Sequence, residues 1–145
     1  MIARIRSQVM LTATPLRDFV LKALATDPLI ESPARALAEL ALRLSENTCG
    51  VFVGHINSAP KALLIADANT SEFSRAVVVV HIYNRGGIPM LQDLFSAMHD
   101  FKCEHGLSRV HGIDINERPE AYVRLFKFRE WRPKPVGTFY QFTEH

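Results

Sequence analysis

Two adjoining apolar patterns dominate the middle of the chain. Residues 76–83 read AVVVVHIY, and an unbroken β-branched run of this kind predicts a strand buried on both faces. Apolar side chains then recur at helical spacing over residues 89–105, which predicts an amphipathic helix. Between the two, Gly86 and Gly87 predict a tight turn, because glycine adopts backbone angles that other residues resist. Pro89 is expected at the first helical position, where its missing N–H removes no hydrogen bond.

The segment before residue 76 begins with a predicted strand and two predicted helices. Thr14-Pro15 and Ser32-Pro33 each combine a capping hydroxyl with a proline, so a helix is expected to begin at each pair. Gly50 is expected to end the second of these helices. The apolar residues assigned to the three elements are Ile2, Ile5 and Val9 for the strand, Leu16, Phe19, Val20 and Leu24 for the first helix, and Leu37, Leu40, Ala41 and Leu44 for the second.

The remaining patterns complete the predicted order of elements. Two apolar runs, residues 51–56 and 62–66, flank the turn residues 57–60 and predict a β-hairpin. After the central helix, residues 108–115 are expected to form a strand, followed by a short helix and a last strand. The order is therefore β-α-α-β-β-β-α-β-α-β within one domain, residues 1–145. It indicates a mixed α/β (α+β) fold with a twisted sheet of about six or seven strands and about four helices.

Composition and charge narrow the classes of protein. A length of 145 residues, 48% hydrophobic and 22% charged, fits a globular domain and argues against disorder. The net charge of +2 is too small to indicate nucleic-acid binding. Cys49 and Cys103 do not make a disulfide framework, which favours a reducing compartment. With no signal-peptide core and no apolar run long enough to span a membrane, a cytoplasmic protein without a membrane partner is expected.

The strand, glycine turn and helix resemble the GNAT acetyltransferase superfamily. In that family the fourth strand ends in a turn of the form Gln/Arg-x-x-Gly-x-Gly/Ala, whose backbone amides hold the pyrophosphate of coenzyme A. Here Gly87 matches, Asn84 stands in place of Gln or Arg, and Pro89 replaces the last small residue. The resemblance implies a GNAT-like sheet with one parallel pair of strands splayed around the cofactor. The cofactor-binding residues that it implies in this segment are Ile82, Asn84, Arg85, Gly86, Gly87, Ile88 and Pro89.

A second block of the same family lies near the end of the chain. In the family a strand ending in Asn precedes a helix that reads Ala…Leu-Tyr-x-x-x-Gly-Phe. Asn116 follows the predicted strand, and the resemblance implies that it reaches the pantetheine arm of coenzyme A. Phe126 stands where many members carry the tyrosine thought to protonate the leaving thiolate, and phenylalanine has no proton to give. Tyr122, one turn earlier, is either a substitute acid or a packed side chain.

Acetyl transfer to an amine also needs a group that takes up a proton. His81 on the central strand is the first candidate for this base, and Tyr83 is the second. The alternative for His81 is a strand histidine whose hydrogen bonds are satisfied by its neighbours. Neither cysteine is required, because the family's amine attacks the thioester directly.

Two functions are compatible with these patterns. The first is an acetyl-CoA-dependent N-acyltransferase acting on an amine of a small molecule or a protein. The second is a GNAT-fold subunit without catalysis, for example in a phage particle, and the altered turn and Phe126 favour it. Trp131 and Arg132 then mark a surface for a protein partner, since both residue types are typical interface anchors. His99 and Cys103 share one helix face, but two ligands do not form a zinc site, so no metal is expected.

Overall fold

A computed structural model describes residues 1–112 of the chain, and residues 113–145 lie outside the described part. The described residues contain five strands and four helices. The strands are β1 (Ile2–Ile5), β2 (Cys49–Ile56), β3 (Ala59–Asn69), β4 (Ala76–Asn84) and β5 (Val110–Gly112). The helices are α1 (Gln8–Thr12), α2 (Leu16–Leu24), α3 (Pro33–Ser45) and α4 (Gly87–Glu104).

The strands form one mixed sheet in the order β1-β2-β3-β4-β5. The first four strands pair antiparallel with their neighbours, and β5 pairs parallel with β4. Because α4 connects β4 to β5, the predicted helical crossover between parallel strands is confirmed. The β2–β3 hairpin is also confirmed, although its turn is only Asn57 and Ser58, both with positive φ, and Ala59 already belongs to β3.

The sheet is covered on both faces. Strand side chains alternate between the faces. One face packs against α2 and α3, and the other packs against α4, where the rings of Phe52 and Phe101 lie edge to face with centroids 6.2 Å apart. The core on the α2–α3 face contains Val20, Leu24, Leu37, Leu40, Leu44, Val51, Val53, Leu63 and Ile65.

A β-bulge in β4 corrects the predicted burial of the central strand. Ile65 of β3 pairs with His81, while the next residue, Ala66, pairs with Val79, so Val80 has no partner on β3. Val80 is 44% exposed. The strand itself is confirmed, but its burial on both faces is wrong. The extra residue also resets the alternation of side chains, so that His81 and Tyr83 lie on the α2–α3 face.

Several predicted helix boundaries are wrong. Residues 8–12 form α1, capped by the Ser7 hydroxyl, so Val9 is helical and not part of the first strand. The N-cap of α2 is Pro15 rather than Thr14. Pro89 is the third residue of α4, not the first, although it still lies in the turn that has free amides. The cap at Ser32 is confirmed, since its hydroxyl accepts a hydrogen bond from the Arg35 amide.

Gly50 does not end α3, which stops at Ser45. Gly50 lies inside β2 instead, where a Cβ atom would stand 2.8 Å from the Phe52 ring and 3.2 Å from the Phe101 ring. Glycine is therefore needed at this position for close packing of α4 on the sheet. No helix within residues 1–112 is both long and apolar enough to cross a membrane.

Candidate functional site

The side chain of Asn84 organises the turn between β4 and α4. Its Oδ1 accepts a hydrogen bond from the Gly86 amide, and its Nδ2 donates to the Gly87 carbonyl, each at 2.8 Å. Gly87 has a φ of +84°, in the region that favours glycine. Asparagine at this position therefore fixes the shape of the turn from within.

The same hydrogen bonds determine which amides a ligand could reach. A helix start leaves the amides of its N-cap and of its first three residues without intrahelical partners. In α4 the N-cap is Gly86, whose amide N–H donates to Asn84, and Pro89 has no amide N–H. Gly87 and Ile88 therefore carry the two amides left for an anion. Ile88 is 65% exposed, and among residues 1–112 a Cβ atom on Gly87 would meet nothing closer than Pro89 at 3.8 Å, so no described residue covers the surface above the turn.

Positive charge collects beside this turn, on the α2 side of β4. The Arg85 guanidinium donates from Nε to the Tyr83 hydroxyl at 3.3 Å and lies 5.5 Å from the centre of its ring. That hydrogen bond lowers the pKa of Tyr83, and the charges of Lys22 and Lys61 lower it further, against the opposing effect of burial. None of the three cations forms an ion pair within residues 1–112. Tyr83 in turn packs edge to face on Phe19 of α2, with ring centroids 5.8 Å apart.

His81 is buried on the same face of β4 and pairs with a carboxylate. Its Nδ1 lies 3.2 Å from Oδ2 of Asp27, which belongs to the segment between α2 and α3. The other carboxylate oxygen of Asp27 accepts a hydrogen bond from the Leu29 amide at 2.9 Å. Nε2 of His81 is buried and has no hydrogen-bond partner within residues 1–112. In the described part of the chain the histidine is thus satisfied on one ring nitrogen only.

The structure brings together part of the predicted site. His81, Tyr83 and the turn at residues 84–89 lie on one continuous strand and turn, and three residues of strand place His81 about 10 Å from Asn84. Ile82 is half-buried, and because it pairs with Leu64 it lies on the α4 face, away from His81. Five residues named from the sequence lie outside the described part of the chain. They are Asn116, Tyr122, Phe126, Trp131 and Arg132.

Asp27 is one of the site residues that the sequence reasoning missed, with Lys22 and Lys61 as the others. In the sequence, Asp27 precedes Pro28 and marks the end of a helix. Nothing in that local pattern indicates that its partner lies 54 residues further along the chain. A carboxylate following the first predicted helix could have been flagged as a candidate, but pairing it with His81 required the packing of the α2–α3 segment on β4.

The cysteines lie away from this site. Burial raises the pKa of the Cys49 thiol to about 11, so this side chain is unreactive at neutral pH. Cys103 is exposed on α4, with its Sγ 3.6 Å from Nε2 of His99. Within residues 1–112, no group of three histidine, cysteine or acidic side chains is placed to hold a metal ion.

No protein-family model matches the sequence, and no curated protein matches it. Solved structures match its fold over nearly the whole chain. An aminoglycoside acetyltransferase from an uncultured soil metagenomic sample superposes with a TM-score of 0.69 at 15% identity, covering 100% of this chain and 96% of its own. A ribosomal-protein-alanine N-acetyltransferase from Brucella melitensis biovar Abortus gives a TM-score of 0.62 at 15% identity, with coverages of 100% and 99%.

A third similar structure comes from Clostridium acetobutylicum and is described as a predicted acetyltransferase with acetyl-CoA. It gives a TM-score of 0.62 at 12% identity and covers 97% of this chain and 96% of its own. At identities this low the similarities show the fold alone, and that fold is the one the sequence resemblance implied.

Proposed function

We propose that this chain, which has a GNAT-like fold, is an N-acetyltransferase that transfers an acetyl group from acetyl-CoA to an amine. The observation that carries the proposal is the turn closed by Asn84, which presents two amides at the start of α4. Support for the donor comes from the similar structure that contains acetyl-CoA. The acceptor stays open, because the similar proteins are named for amines as different as an aminoglycoside and a ribosomal-protein alanine.

The residues at the turn fit a pyrophosphate. Amides at a helix start carry partial positive charge and bind phosphate oxygens, and the helix dipole adds to this attraction. Gly87 and Ile88 supply these amides, and Arg85 supplies a full positive charge next to them. The turn offers fewer donors than the family pattern, since Gly86 is engaged by Asn84 and Pro89 has none. The cations Lys22 and Lys61 raise the positive potential around the same end of β4.

The proposed chemistry needs a proton acceptor on β4. Acetyl-CoA supplies its acetyl group as a thioester, and the acceptor amine forms a bond to the carbonyl carbon while the carbon–sulfur bond breaks. We assign His81 as the base that takes the proton lost by the amine, since its Nε2 has no hydrogen-bond partner among residues 1–112. Tyr83 is the alternative acceptor, since its lowered pKa makes its phenolate more accessible. We keep Tyr122 as the candidate that protonates the leaving thiolate, and Asn116 as the contact to pantetheine, on the family resemblance alone.

The turn is tested by calorimetric titration of the folded protein with acetyl-CoA. We expect micromolar binding for the wild type and none for Gly87→Trp, whose side chain would cover the two amides. The matched control is Gly106→Trp at the other end of α4. It has a φ of +64° and open space around it, so it carries the same backbone strain without touching the turn. Equal binding by both variants, or no wild-type binding at millimolar acetyl-CoA, would refute the proposal.

Catalysis is tested by release of free coenzyme A thiol in the presence of a panel of amines. Aminoglycosides and peptides with an N-terminal alanine are the first acceptors to include. Within residues 1–112 the one observation on the side of a non-catalytic assembly subunit is the reduced number of donors at the turn, since Gly86 is engaged by Asn84 and Pro89 lacks an N–H. That alternative would gain support from a wild type that binds acetyl-CoA weakly or not at all and releases no thiol with any amine.

A further inference from the structure

Asp27, in the segment between α2 and α3, forms a buried pair with His81 on β4. This pair has a specific consequence for the proposed chemistry. We infer that Asp27 is a positioning residue that holds His81 in the tautomer with Nδ1 protonated, leaving Nε2 as the proton acceptor. This inference rests on the proposed function for its catalytic meaning. The tautomer itself can be measured without any activity.

The geometry of Asp27 leaves one role for its second oxygen. Oδ1 is fixed by the Leu29 amide at 2.9 Å, and Oδ2 lies 3.2 Å from Nδ1 of His81. The side chains are 13% and 4% exposed respectively, so water competes little for this contact. A carboxylate only accepts hydrogen bonds, and the nitrogen facing it must therefore carry the proton. Neutral imidazole has one proton on its ring nitrogens, so Nε2 then has a lone pair.

A carboxylate facing one ring nitrogen and no partner on the other set His81 apart within residues 1–112, where Nδ1 of His55 is also buried without a partner. Buried polar atoms nearly always have a partner, and exceptions call for an explanation. Nε2 of His81 is buried and finds no partner in the described part of the chain, although the ring is already anchored through Nδ1. The residue lies on the face of β4 that α2 and its following segment cover, three residues before the turn that would hold the cofactor. An acceptor amine is a hydrogen-bond donor that would satisfy Nε2.

The proton balance of the step is complete with this pair. As the nitrogen–carbon bond forms, the amine proton moves to Nε2, and the ring becomes an imidazolium with both nitrogens protonated. Asp27 stays ionised and stabilises that cation through Nδ1–H. The proton then passes to solvent when the product leaves. Asp27 is the only charged group that forms an ion pair with His81 within residues 1–112.

The direct test is nitrogen-15 NMR of histidine-labelled protein at a pH where the imidazole is neutral. We expect the wild-type His81 ring to show protonated Nδ1 and unprotonated Nε2. In Asp27→Asn the new amide can donate to Nδ1, which would favour protonation at Nε2 instead. His55 of β2, which has no carboxylate partner in the described part of the chain, serves as an internal reference whose signals should not change.

The kinetic test uses the same variant. With an active wild type, Asp27→Asn should lower kcat by on the order of 100-fold, because a general base contributes this much or more. The affinity for acetyl-CoA should stay within twofold. His55→Asn is the matched control and should leave both values unchanged. A structural role for Asp27 would move stability, and the tautomer with it, but would not separate kcat from cofactor affinity.

Each outcome bears on one of the two proposals. A wild-type His81 with Nε2 protonated overturns the inference, and this measurement needs no variant to fold. An active Asp27→Asn with kcat within threefold of the wild type also overturns it. A wild type that acetylates no amine refutes the proposed function instead, and in that case an Nδ1-protonated His81 would still support the positional role of Asp27.

Discussion

The guanidinium of Arg4 on β1 lies 2.7 Å from a carboxylate oxygen of Glu104, at the end of α4 and 100 residues further along the chain. The central carbon of this guanidinium, Cζ, lies 5.1 Å from the centre of the Phe101 ring and 5.8 Å from that of the Phe52 ring. Arg4 is therefore held between an ion pair and two aromatic rings, and it connects the edge strand to the helix that leads out of the candidate cofactor turn.

The Arg4–Glu104 pair should make stability depend on pH in acid. The hydrogen bond from Arg4 lowers the pKa of Glu104, so its contribution is present above the unfolded-state pKa and is lost as pH falls through the folded-state pKa. Because the Glu104 side chain is 43% exposed, Glu104→Gln should cost at most about 1 kcal/mol at pH 7. Urea unfolding at pH 7 and pH 3 measures this, and the cost should be smaller at the lower pH.

The matched control for that measurement is Glu46→Gln, since Glu46 makes no ion pair within residues 1–112. We expect no change in its unfolding free energy at either pH. Equal costs for the two variants would show that the Arg4–Glu104 contact does not contribute in solution.

Removing the Asn84 side chain should weaken acetyl-CoA binding without unfolding the protein. Asn84→Ala deletes two hydrogen bonds of the turn, each contributing about 1 kcal/mol, and the amides of Gly87 and Ile88 lose their fixed placement. We expect an increase of about tenfold in the Kd measured by calorimetry.

Asn69→Ala provides a control of the same kind for the turn. Asn69 ends β3 and makes similar local hydrogen bonds, to Ser71 and Ser74, at the opposite end of the sheet. Its substitution should leave the Kd for acetyl-CoA unchanged. Similar affinities for the two variants would argue that the Asn84 turn does not hold the cofactor.

The substitution Gly50→Ala should destabilise the fold. The added Cβ would meet two packed rings, of Phe52 at 2.8 Å and Phe101 at 3.2 Å, and overpacking of this kind typically costs about 1–3 kcal/mol. Gly112→Ala is the control, because its Cβ would come no closer than 4.0 Å to Val79. Urea unfolding of both variants measures the difference, and equal stability would contradict the packing of α4 on β2.

The two thiols should differ in reactivity. Cys49 is 2% exposed and its pKa is raised to about 11 by burial, whereas Cys103 is exposed. Iodoacetamide at pH 8 should therefore add one label to the native protein, at Cys103, and two after unfolding in guanidinium. Peptide mass spectrometry locates the label, and rapid native labelling of Cys49 would contradict its placement in the core.

The sequence by itself determined the features that depend on neighbouring residues. The cap at Ser32, the hairpin at Asn57 and Ser58, and the turn at Gly86 and Gly87 all follow from sterics and hydrogen bonds within a few positions. The strand over residues 76–83 and the helix after it follow from side-chain periodicity in the same way. These local signals located the strand, turn and helix, and it was their resemblance to the GNAT family that implied the fold and the candidate cofactor turn.

Only the tertiary structure decided what surrounds that turn. The bulge at Val80 arises from the register between β3 and β4, and no local signal reveals it, yet it places His81 and Tyr83 on the α2–α3 face. The pairing of His81 with Asp27 joins residues 54 positions apart. Gly50 was mistaken for a helix end because it must be glycine to fit between two packed rings, and one of them, that of Phe101, is on α4, more than 50 residues away. Contacts of this range depend on how whole elements pack, and short-range pattern does not encode them.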